Sequence, residues 1–241
     1  MKGQILFFAS ICQIFLCAVL LKSTGIALHY FPYRDSSVIA RFFTENQGLQ
    51  SFIASGVRSA KTRLSPGLFQ PLNLVELVYY QNPSGELHRL SEIRPLRILQ
   101  SIPMYPAKTA IAMFVAEYLS KILREQMENQ ALFELVSSWI GRLDSSSGNY
   151  ESAHLALVWH SFSSIGIAPE DWRTMLSAVQ LRPEEPELLD AFFSSEDLFA
   201  ALRLASHRRQ LILDHLLNYA SAQLEGMGEI KSLPVLRQVF S

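Results

Sequence analysis

The sequence predicts an α+β protein in which a small five-stranded β-barrel precedes an all-α region. Residues 24–99 contain short runs of alternating apolar and polar side chains separated by turn residues, which is the period of β-strands. After Pro103 and Pro106 the apolar spacing becomes that of α-helices. With 241 residues, 49% of them hydrophobic, the chain is long enough to form two small domains.

Five runs are predicted to be strands. The first three alternate at Ile26, Leu28 and Tyr30, at Val38, Ala40 and Phe42, and at Leu49, Ser51 and Ile53. Residues 72–80 are apolar on both faces except at two positions, which is typical of a central strand. The "NPSG" at 82–85 predicts a hairpin turn, and 86–96 form the return strand. No helix interrupts these strands, so we predict antiparallel pairing throughout and an OB-fold, the common five-stranded barrel.

Five helices are predicted after the barrel. The first has one apolar face, the second covers 131–143, and the third ends at Gly166. Residues 181–187, which contain two prolines, are predicted to be an acidic loop. Ser195 is the predicted N-cap of the fourth helix, and 206–224 form the last. His207, Arg208 and Arg209 oppose the dipole of that last helix. They are predicted either to pair with an acidic neighbour in the fold, which we favour, or to meet an anionic partner.

Charge is distributed unevenly, although the net charge of the chain is −1. Residues 22–105 contain nine Lys/Arg and five Asp/Glu, a net charge of +4, whereas 106–241 contain eleven and seventeen, a net charge of −6. This asymmetry indicates a polyanionic partner for the first half. Its most concentrated cations, Arg58, Lys61 and Arg63, lie in a stretch that has no acidic residue between Glu45 and Glu76.

The first 21 residues are mostly apolar, contain one cation and are kept apart from the fold. The segment is open to three interpretations: a start placed too early, with translation beginning at 19–21, a signal peptide or membrane anchor, or an ordered extension. The predicted domains are therefore an apolar extension at 1–21, an OB-fold nucleic-acid-binding domain at 22–103 and a helical domain at 104–241.

Motifs of the common enzyme classes are absent from the sequence. It contains no phosphate-binding glycine loop, H-E-x-x-H, G-x-S-x-G or C-x-x-C. The two cysteines, Cys12 and Cys17, lie in the apolar start and cannot supply a four-thiolate zinc site. We therefore predict no catalytic residue, no metal, no cofactor and no small-molecule substrate, and we favour a binding protein over an enzyme.

The cationic stretch is the strongest functional signal. Arg58, Lys61 and Arg63 follow a predicted strand and precede Pro66, so they are predicted to lie on a loop at the rim of the barrel, where OB-folds bind nucleic acid. The same half contributes Arg34, Arg41, Arg89 and Arg94 to the predicted DNA-binding set, and Arg97 lies there as well. Tyr79 and Tyr80 are candidate rings for stacking bases. An ordinary solvated loop is the alternative interpretation of these cations.

Several blocks of the sequence resemble the RecO family of DNA recombination and repair mediators. The blocks are "TGIALHYFPYRDSSVIARFFTENQG", "GVRSAKTRLSPGLFQPLNLVEL", "SEIRPL" with "QSIP", and "GMGEIKSLPVLRQVF". They occur in the order that the family has. The resemblance implies an N-terminal OB-fold, a helical C-terminal part, a non-enzymatic role and a cytoplasmic location.

The resemblance also implies partners. These are single-stranded DNA, which the family binds and anneals, double-stranded DNA, the C-terminal tail of the single-stranded-DNA-binding protein, and RecR, with which RecA is loaded. The acidic tail is predicted to bind an apolar groove of the helical half beside Lys121, Arg124 or Arg142. Many relatives carry a four-cysteine zinc motif where this chain has "EDWRTMLSAVQLRPEEPE" without cysteine, so zinc is not implied.

A hypothesis from another class stays open. Residues 4–21 would anchor the chain in a membrane, and the OB-fold would bind protein or oligosaccharide with no role on DNA. The N-terminal sequence of the native protein separates the two hypotheses. A start at 19–21 in the soluble fraction favours the mediator, and an intact Met1 in the membrane fraction favours the tethered protein.

Overall fold

Five strands form the first half of the computed structural model, which describes residues 19–57, 65–82, 86–125 and 127–240. They are β1 (Leu20–Tyr33), β2 (Ser37–Thr44), β3 (Gly48–Ala54), β4 (Leu74–Tyr80) and β5 (His88–Pro95). The strands close into a barrel in the order β1-β2-β3-β5-β4. The prediction of a five-stranded OB-fold barrel is therefore confirmed.

The 14-residue strand β1 closes the barrel because it serves two neighbours. Its first half pairs antiparallel with β4, from Leu20 opposite Tyr80 to Ile26 opposite Leu74, and its second half pairs antiparallel with β2. The prediction of antiparallel pairing throughout is wrong at one place, since β3 and β5 run parallel through Phe52 and His88. Side chains alternate in the same way in both strand directions, so the sequence pattern does not distinguish them.

The three alternating runs of the first strands face different sides of the barrel wall. Val38, Ala40 and Phe42 of β2 are buried inside the barrel. From β3 the interior receives Phe52 and Ala54, while Leu49 packs outward against the helices. In β1 the register shifts between Ala27 and His29. Ile26 and Leu28 therefore pack against the helices, whereas Tyr30 packs against the barrel interior.

Seven helices follow the barrel in the described part of the chain. They are α1 (Pro106–Ile122), α2 (Gln130–Ser145), α3 (Ala153–Ser164), α4 (Trp172–Met175), α5 (Glu185–Phe193), α6 (Ser206–Gln223) and α7 (Leu233–Val239). The helices predicted at 131–143, before Gly166 and at 206–224 are confirmed as α2, α3 and α6. Their hydrophobic faces form one large core that also contains barrel residues, namely Ile26, Leu28, Phe43, Leu49 and Leu72.

Two predictions in the helical half are wrong. The predicted acidic loop at 181–187 becomes helix from Glu185 onward, as α5. The predicted helix at Ser195 does not form, and no helix occurs in 194–205. The Ser195 hydroxyl instead accepts a hydrogen bond from the backbone N–H of Asp197, at 3.1 Å, which closes a local turn. Serine is well suited to both arrangements, and here the turn is preferred over the helix start.

The first turn of α6 is held by an ion pair inside the fold. The Arg208 guanidinium binds Glu185 through both carboxylate oxygens, with Nε 2.7 Å from Oε1. The Glu185 side chain is only 2% exposed, and the pairing with Arg208 keeps the pKa of this carboxyl below its usual value. Arg209 donates to the carbonyl of Leu204. The favoured prediction, that these cations pair within the fold, is confirmed for Arg208.

The barrel and the helices meet at the β2–β3 hairpin. Gly48 has φ +65°, and a Cβ placed there would lie 2.0 Å from the carbonyl oxygen of Met127, in the α1–α2 connection. Only glycine fits this position, because it combines a left-handed backbone with a close approach of two main chains. Beside it, the Phe43 ring packs edge-on to Phe133 at 5.3 Å.

A buried lysine secures the connection from β5 to α1. The side chain of Lys108 is buried in α1 and donates to the Ser101 hydroxyl and to the carbonyl of Ser146, both at 2.6 Å. The Asp144 carboxylate accepts hydrogen bonds from the backbone N–H groups of residues 100–102. Burial opposes the charge of Asp144, but these donors outweigh it and lower its pKa. Residues 100–102 are therefore bound to α1 through Lys108 and to α2 through Asp144.

Candidate nucleic-acid interface

One row of outward-facing side chains crosses all five strands of the barrel. Hydrogen-bonded register places Phe31 opposite Ile39, Ile39 opposite Ile53, and Ile53 opposite Arg89. Arg89 in turn lies opposite Tyr80, which lies opposite the start of β1. We call this row the outer strip, and it consists of Leu20, Phe31, Ile39, Ile53, Tyr80 and Arg89. It contains five apolar or aromatic side chains, one cation and no acid.

The strip faces outward because the neighbouring residue on each strand faces in. Tyr79, for example, is 1% exposed inside the barrel, so Tyr80 must point away from it. Phe31 is 43% exposed, Tyr80 40% and Leu20 54%. These three are the exposed large apolar side chains of the described strands. The barrel exterior therefore concentrates its exposed apolar surface in one row.

The strip runs between two connections of the barrel. At one end the β1–β2 turn contains Arg34, whose guanidinium lies 5.1 Å from the centre of the Tyr33 ring. Arg34 has φ +52°, an uncommon conformation for a residue with a side chain. At the other end is the β4–β5 connection. The strand 2–3 face and these two connections are the surface on which OB-folds bind oligonucleotides and oligosaccharides.

A buried histidine at the start of β5 binds Asn82, which follows β4. His88 Nδ1 accepts a hydrogen bond from the backbone N–H of Asn82 at 3.0 Å, so Nε2 carries the proton and donates to Gln50 Oε1 at 2.7 Å. Burial lowers the pKa of His88, which keeps the ring neutral. A neutral ring is required, because a proton on Nδ1 would oppose the Asn82 N–H.

The predicted DNA-binding cations separate into distinct groups. Arg34 and Arg89 are exposed on or beside the strip, and neither forms an ion pair with a carboxylate in the described ranges. Arg58, Lys61 and Arg63 lie outside the described residues. The described chain before them ends at Val57, shortly after the strip residue Ile53 on β3. Two of the seven predicted cations, Arg34 and Arg89, thus lie on or beside the strip.

Arg41 and Arg94 are engaged elsewhere on the barrel. Arg41 Nη2 binds Glu125 Oε1 at 2.8 Å, in the connection between α1 and α2. Arg94 Nη2 binds Glu92 Oε2 at 2.8 Å on the outside of β5. Lys22 binds Glu76 at 2.6 Å on the adjacent strands. We call Lys22, Glu76, Glu92 and Arg94 the paired face, because its cations are neutralised by neighbours within the barrel.

Only one of the two candidate stacking tyrosines is available on the surface. The Tyr79 ring is buried between Phe52 and His88, and its hydroxyl donates to Gln47 Oε1 at 3.2 Å. Sequence reasoning missed Phe31, which supplies the second exposed ring of the strip. The sequence pattern alone did not place Phe31 on the outside of the barrel, because the register shift in β1 interrupts the alternation.

The three candidate partner-binding cations of the helical half have different surroundings. Lys121 Nζ donates to the carbonyl of Met227 at 3.0 Å and holds the segment before α7. Arg142 binds Asp197 at 2.7 Å and lies over the Phe199 ring. Arg124 is exposed and borders a pocket of about 240 Å³ whose apolar lining is Ile122, Leu123, Met127, Ile165 and Leu224. Arg124 thus borders a small pocket with a largely apolar lining, which also includes Glu128, whereas Arg142 lines a wider cleft between the barrel and α2.

A wide cleft of the described structure lies apart from the strip. It has a volume of about 1170 Å³ and separates the barrel from α2. Its walls carry Glu45, Glu134, Arg97 and Arg142, and Arg97 lies directly over Gly141 of α2. Because acidic and basic groups alternate along these walls, the cleft has no charge preference that identifies a ligand.

Two further classes of site were sought in the described ranges. These ranges contain no group of three or more His, Cys, Asp or Glu side chains arranged to hold a metal ion. Among their helices, none is both long enough and apolar enough to cross a membrane.

The fold and the strip define the chain as an OB-fold protein with a helical C-terminal part. Comparison with known proteins gives the family. Residues 19–99 match the family model "Recombination protein O N terminal". The chain is 32% identical to the DNA repair protein RecO of Phocaeicola vulgatus and 30% identical to that of Bacteroides fragilis, covering 92% of this chain and 100% of each relative. It is 28% identical to RecO of Flavobacterium psychrophilum, over 92% of this chain and 99% of the relative.

The chain therefore belongs to the RecO family, which is a family of DNA repair and recombination proteins. The resemblance inferred from the sequence blocks is confirmed.

Proposed function

We propose that this chain is a DNA recombination and repair mediator that binds single-stranded DNA along the outer strip. The observation that carries the proposal is the placement of Arg34 and Arg89, two exposed cations without a carboxylate partner in the described ranges, on or beside a row that contains the exposed rings of Phe31 and Tyr80. Cations of this kind are free to neutralise phosphates, and rings offer a surface to bases.

The other predicted cations extend this surface. Arg58, Lys61 and Arg63 belong to the connection that leaves β3 after the strip residue Ile53, and we assign them phosphate contacts as well. Arg41 and Arg94 contribute less, because an ion pair must be broken before either can meet a phosphate. Binding of double-stranded DNA would use the same cations, since both forms present phosphates.

Family membership supports the further steps of the proposal. They are annealing of complementary strands, cooperation with RecR and loading of RecA onto DNA covered by the single-stranded-DNA-binding protein. In this role the chain acts by binding rather than by catalysis, in the cytoplasm, and it requires no metal or cofactor. Elemental analysis that finds one zinc per purified chain would contradict the last point.

The acidic tail of the single-stranded-DNA-binding protein is assigned to the pocket beside Arg124. The pocket offers apolar walls for the apolar end of a short peptide, and Arg124 offers a charge for its carboxylates. Replacing Arg124 by Gln should weaken binding of an acidic tail peptide in a fluorescence titration. Arg142→Gln, the matched change at a cation already bound to Asp197, should leave the peptide affinity nearly unchanged.

The DNA-binding proposal is tested by the salt dependence of affinity. Each phosphate contact on single-stranded DNA contributes about 0.7 to the slope of log K against log salt. Arg34→Gln with Arg89→Gln should therefore lower the slope by about 1.4, as measured by fluorescence anisotropy of a labelled oligothymidine. A folded double variant with the wild-type slope would contradict the assignment of these two residues.

A further inference from the structure

The exposed rings of the outer strip are the feature that phosphate binding leaves unexplained. Arg34 and Arg89 need no aromatic neighbours to neutralise phosphates. Yet the three exposed large apolar side chains of the described strands, Leu20, Phe31 and Tyr80, all lie on this one row. The paired face on the same barrel has only ion pairs and small or half-buried side chains around them. Exposed apolar surface concentrated in this way marks an interaction site.

The Phe31 ring has an aromatic neighbour on the same strand. The His29 ring lies nearly parallel to it, with centroids 6.3 Å apart and planes inclined by 22°. Burial and the nearby charge of Arg41 lower the pKa of His29, so this ring is neutral at pH 7. The two rings therefore present adjacent aromatic surface on β1.

The charge of the strip decides what kind of surface it fits. Arg89 interrupts the apolar row at its centre, Arg34 follows Phe31 by three residues, and no acid belongs to the row. A ligand that matches it must combine flat apolar faces with negative charge at short intervals. Unpaired nucleotides have this combination, whereas in a duplex the base faces are stacked on each other and are not accessible to an aromatic side chain.

We propose that Phe31 and Tyr80 stack on unpaired bases, so that the outer strip distinguishes single-stranded from duplex DNA. The inference rests on the proposed function, because it refines how the same surface binds DNA. In this arrangement the cations bind both forms of DNA through phosphates, and the two rings add affinity only for the single strand.

The test compares ring variants on three ligands of equal length. These are an oligothymidine, a duplex and an abasic strand, which keeps the phosphates and lacks the bases. Phe31→Ala and Tyr80→Ala should each weaken oligothymidine binding on the order of 10-fold. Affinity for the duplex and for the abasic strand should change less than about 2-fold, and the salt slope should not change, because no phosphate contact is lost.

Conservative variants separate stacking from simple apolar contact. Phe31→Leu and Tyr80→Leu keep much of the apolar area and remove the flat ring, so they should lose nearly as much affinity as the alanine variants. Tyr80→Phe keeps the ring and should retain wild-type affinity. Circular dichroism and urea unfolding should show that each variant is folded, because both side chains are more than a third exposed.

Three results would overturn the inference. The first is equal loss of single-strand and duplex affinity, and the second is wild-type affinity in the ring variants. The third is a wild-type dimer in sedimentation that the ring variants convert to monomers, which would make the strip an interface between copies of this chain. Failure of the proposed function itself looks different: the wild-type chain would then not bind oligothymidine with a slope that depends on Arg34 and Arg89.

Discussion

The barrel and the helical half use their cations in opposite ways. Arg34, beside the outer strip, and Arg89, on it, form no ion pair with the described carboxylates and face solvent. In the helical half Lys108, Lys121 and Arg208 bind carbonyl or carboxylate groups of the chain itself. The first group is available to a ligand, and the second stabilises the fold. A region's total charge therefore indicates less than the partners of each cation.

The same contrast exists within the barrel. Its net positive charge comes from the strip, from the connection after β3 and from the paired face together, yet Lys22 and Arg94 of the paired face are already neutralised. Exposed ion pairs of this kind contribute about 0–1 kcal/mol to stability. They therefore provide control cations on the same barrel that have a different expected function.

The largest effect is expected for Arg208. Replacing it by Gln leaves Glu185 buried without its charged partner, which should lower the free energy of unfolding by about 3 kcal/mol. Urea unfolding measures the change. DNA affinity per folded molecule should be unchanged, because Arg208 binds inside the fold. A stable Arg208→Gln variant with weakened DNA binding would break the comparison, since a fold-stabilising cation would then act as a ligand contact.

Arg58, Lys61 and Arg63 should have a large effect on DNA binding rather than on stability. Changing Arg58, Lys61 and Arg63 together to Gln should lower the salt slope on oligothymidine by about 2 and reduce affinity independently of base sequence. On the loop that the sequence predicts, each substitution should change the free energy of unfolding by less than about 0.5 kcal/mol. An unchanged slope in the folded triple variant would support the solvated-loop interpretation and leave Arg34 and Arg89 as the cationic contacts.

Acid should weaken the helical half through His154. Burial, with the nearby charge of Arg209, lowers the pKa of this histidine from 6.5 to about 3. In the folded chain His154 therefore stays neutral down to about pH 3, whereas in the unfolded chain it binds a proton below about pH 6.5. The free energy of unfolding therefore falls as the pH falls from about 6.5 towards 3. The expected loss from pH 7 to 5.5 is about 1 kcal/mol.

The replacement His154→Phe isolates this contribution. The ring lies among Phe114 and Phe240, and its Nδ1 is buried without a hydrogen-bond partner, so an apolar ring suits the site. In the variant, the difference in the free energy of unfolding between pH 7 and pH 5.5 should be about 1 kcal/mol smaller than in the wild type, as measured by urea unfolding. His88, whose pKa burial also lowers, accounts for part of what is left. An identical pH dependence in variant and wild type would assign the acid sensitivity elsewhere.

The smallest effect is expected on the paired face. Lys22→Gln with Arg94→Gln removes as many cations as the Arg34 and Arg89 double variant. Because both are paired with carboxylates, the salt slope should change by less than about 0.3, against about 1.4 for the strip pair. A slope that falls equally in both double variants would show that binding depends on total charge and would break the distinction between the two faces.

The sequence predicted the type and order of most elements and failed where tertiary contacts decide. Leu49 suggested the wrong inner face for β3, because the helices bury it from outside the barrel. Residues 185–187 formed a helix despite two nearby prolines, because Arg208 neutralises Glu185 and Pro186 is tolerated in a first turn. Neither the helices that cover Leu49 nor the Arg208 side chain that binds Glu185 can be recognised from the local sequence pattern.

The site was predictable as a region and less so as a set of residues. Charge asymmetry identified the barrel, and Arg34 and Arg89 were among the predicted cations. The ion pairs of Arg41 and Arg94 could not be foreseen, because Glu125 is 84 residues from Arg41 and the Glu92 side chain has several neighbours within reach. Strand register places Phe31, Ile53 and Tyr80 on one row. This register depends on barrel closure rather than on any one segment.

The double pairing of β1 also sets an order of events in folding. Its second half can pair with β2 as soon as both have been synthesised, since Tyr33 and Ser37 are joined by a tight turn. Its first half must wait for β4, because Leu20 pairs with Tyr80, which is 60 positions further along the chain. Long-range pairing of this kind is slow relative to hairpin formation. Pulse-labelling hydrogen exchange should therefore show amides of 22–25 protected later than those of 39–43, and simultaneous protection would contradict this order. A partly synthesised chain would hold Phe31 and Ile39 together without Tyr80, so the complete strip exists only after the last seam of the barrel has closed.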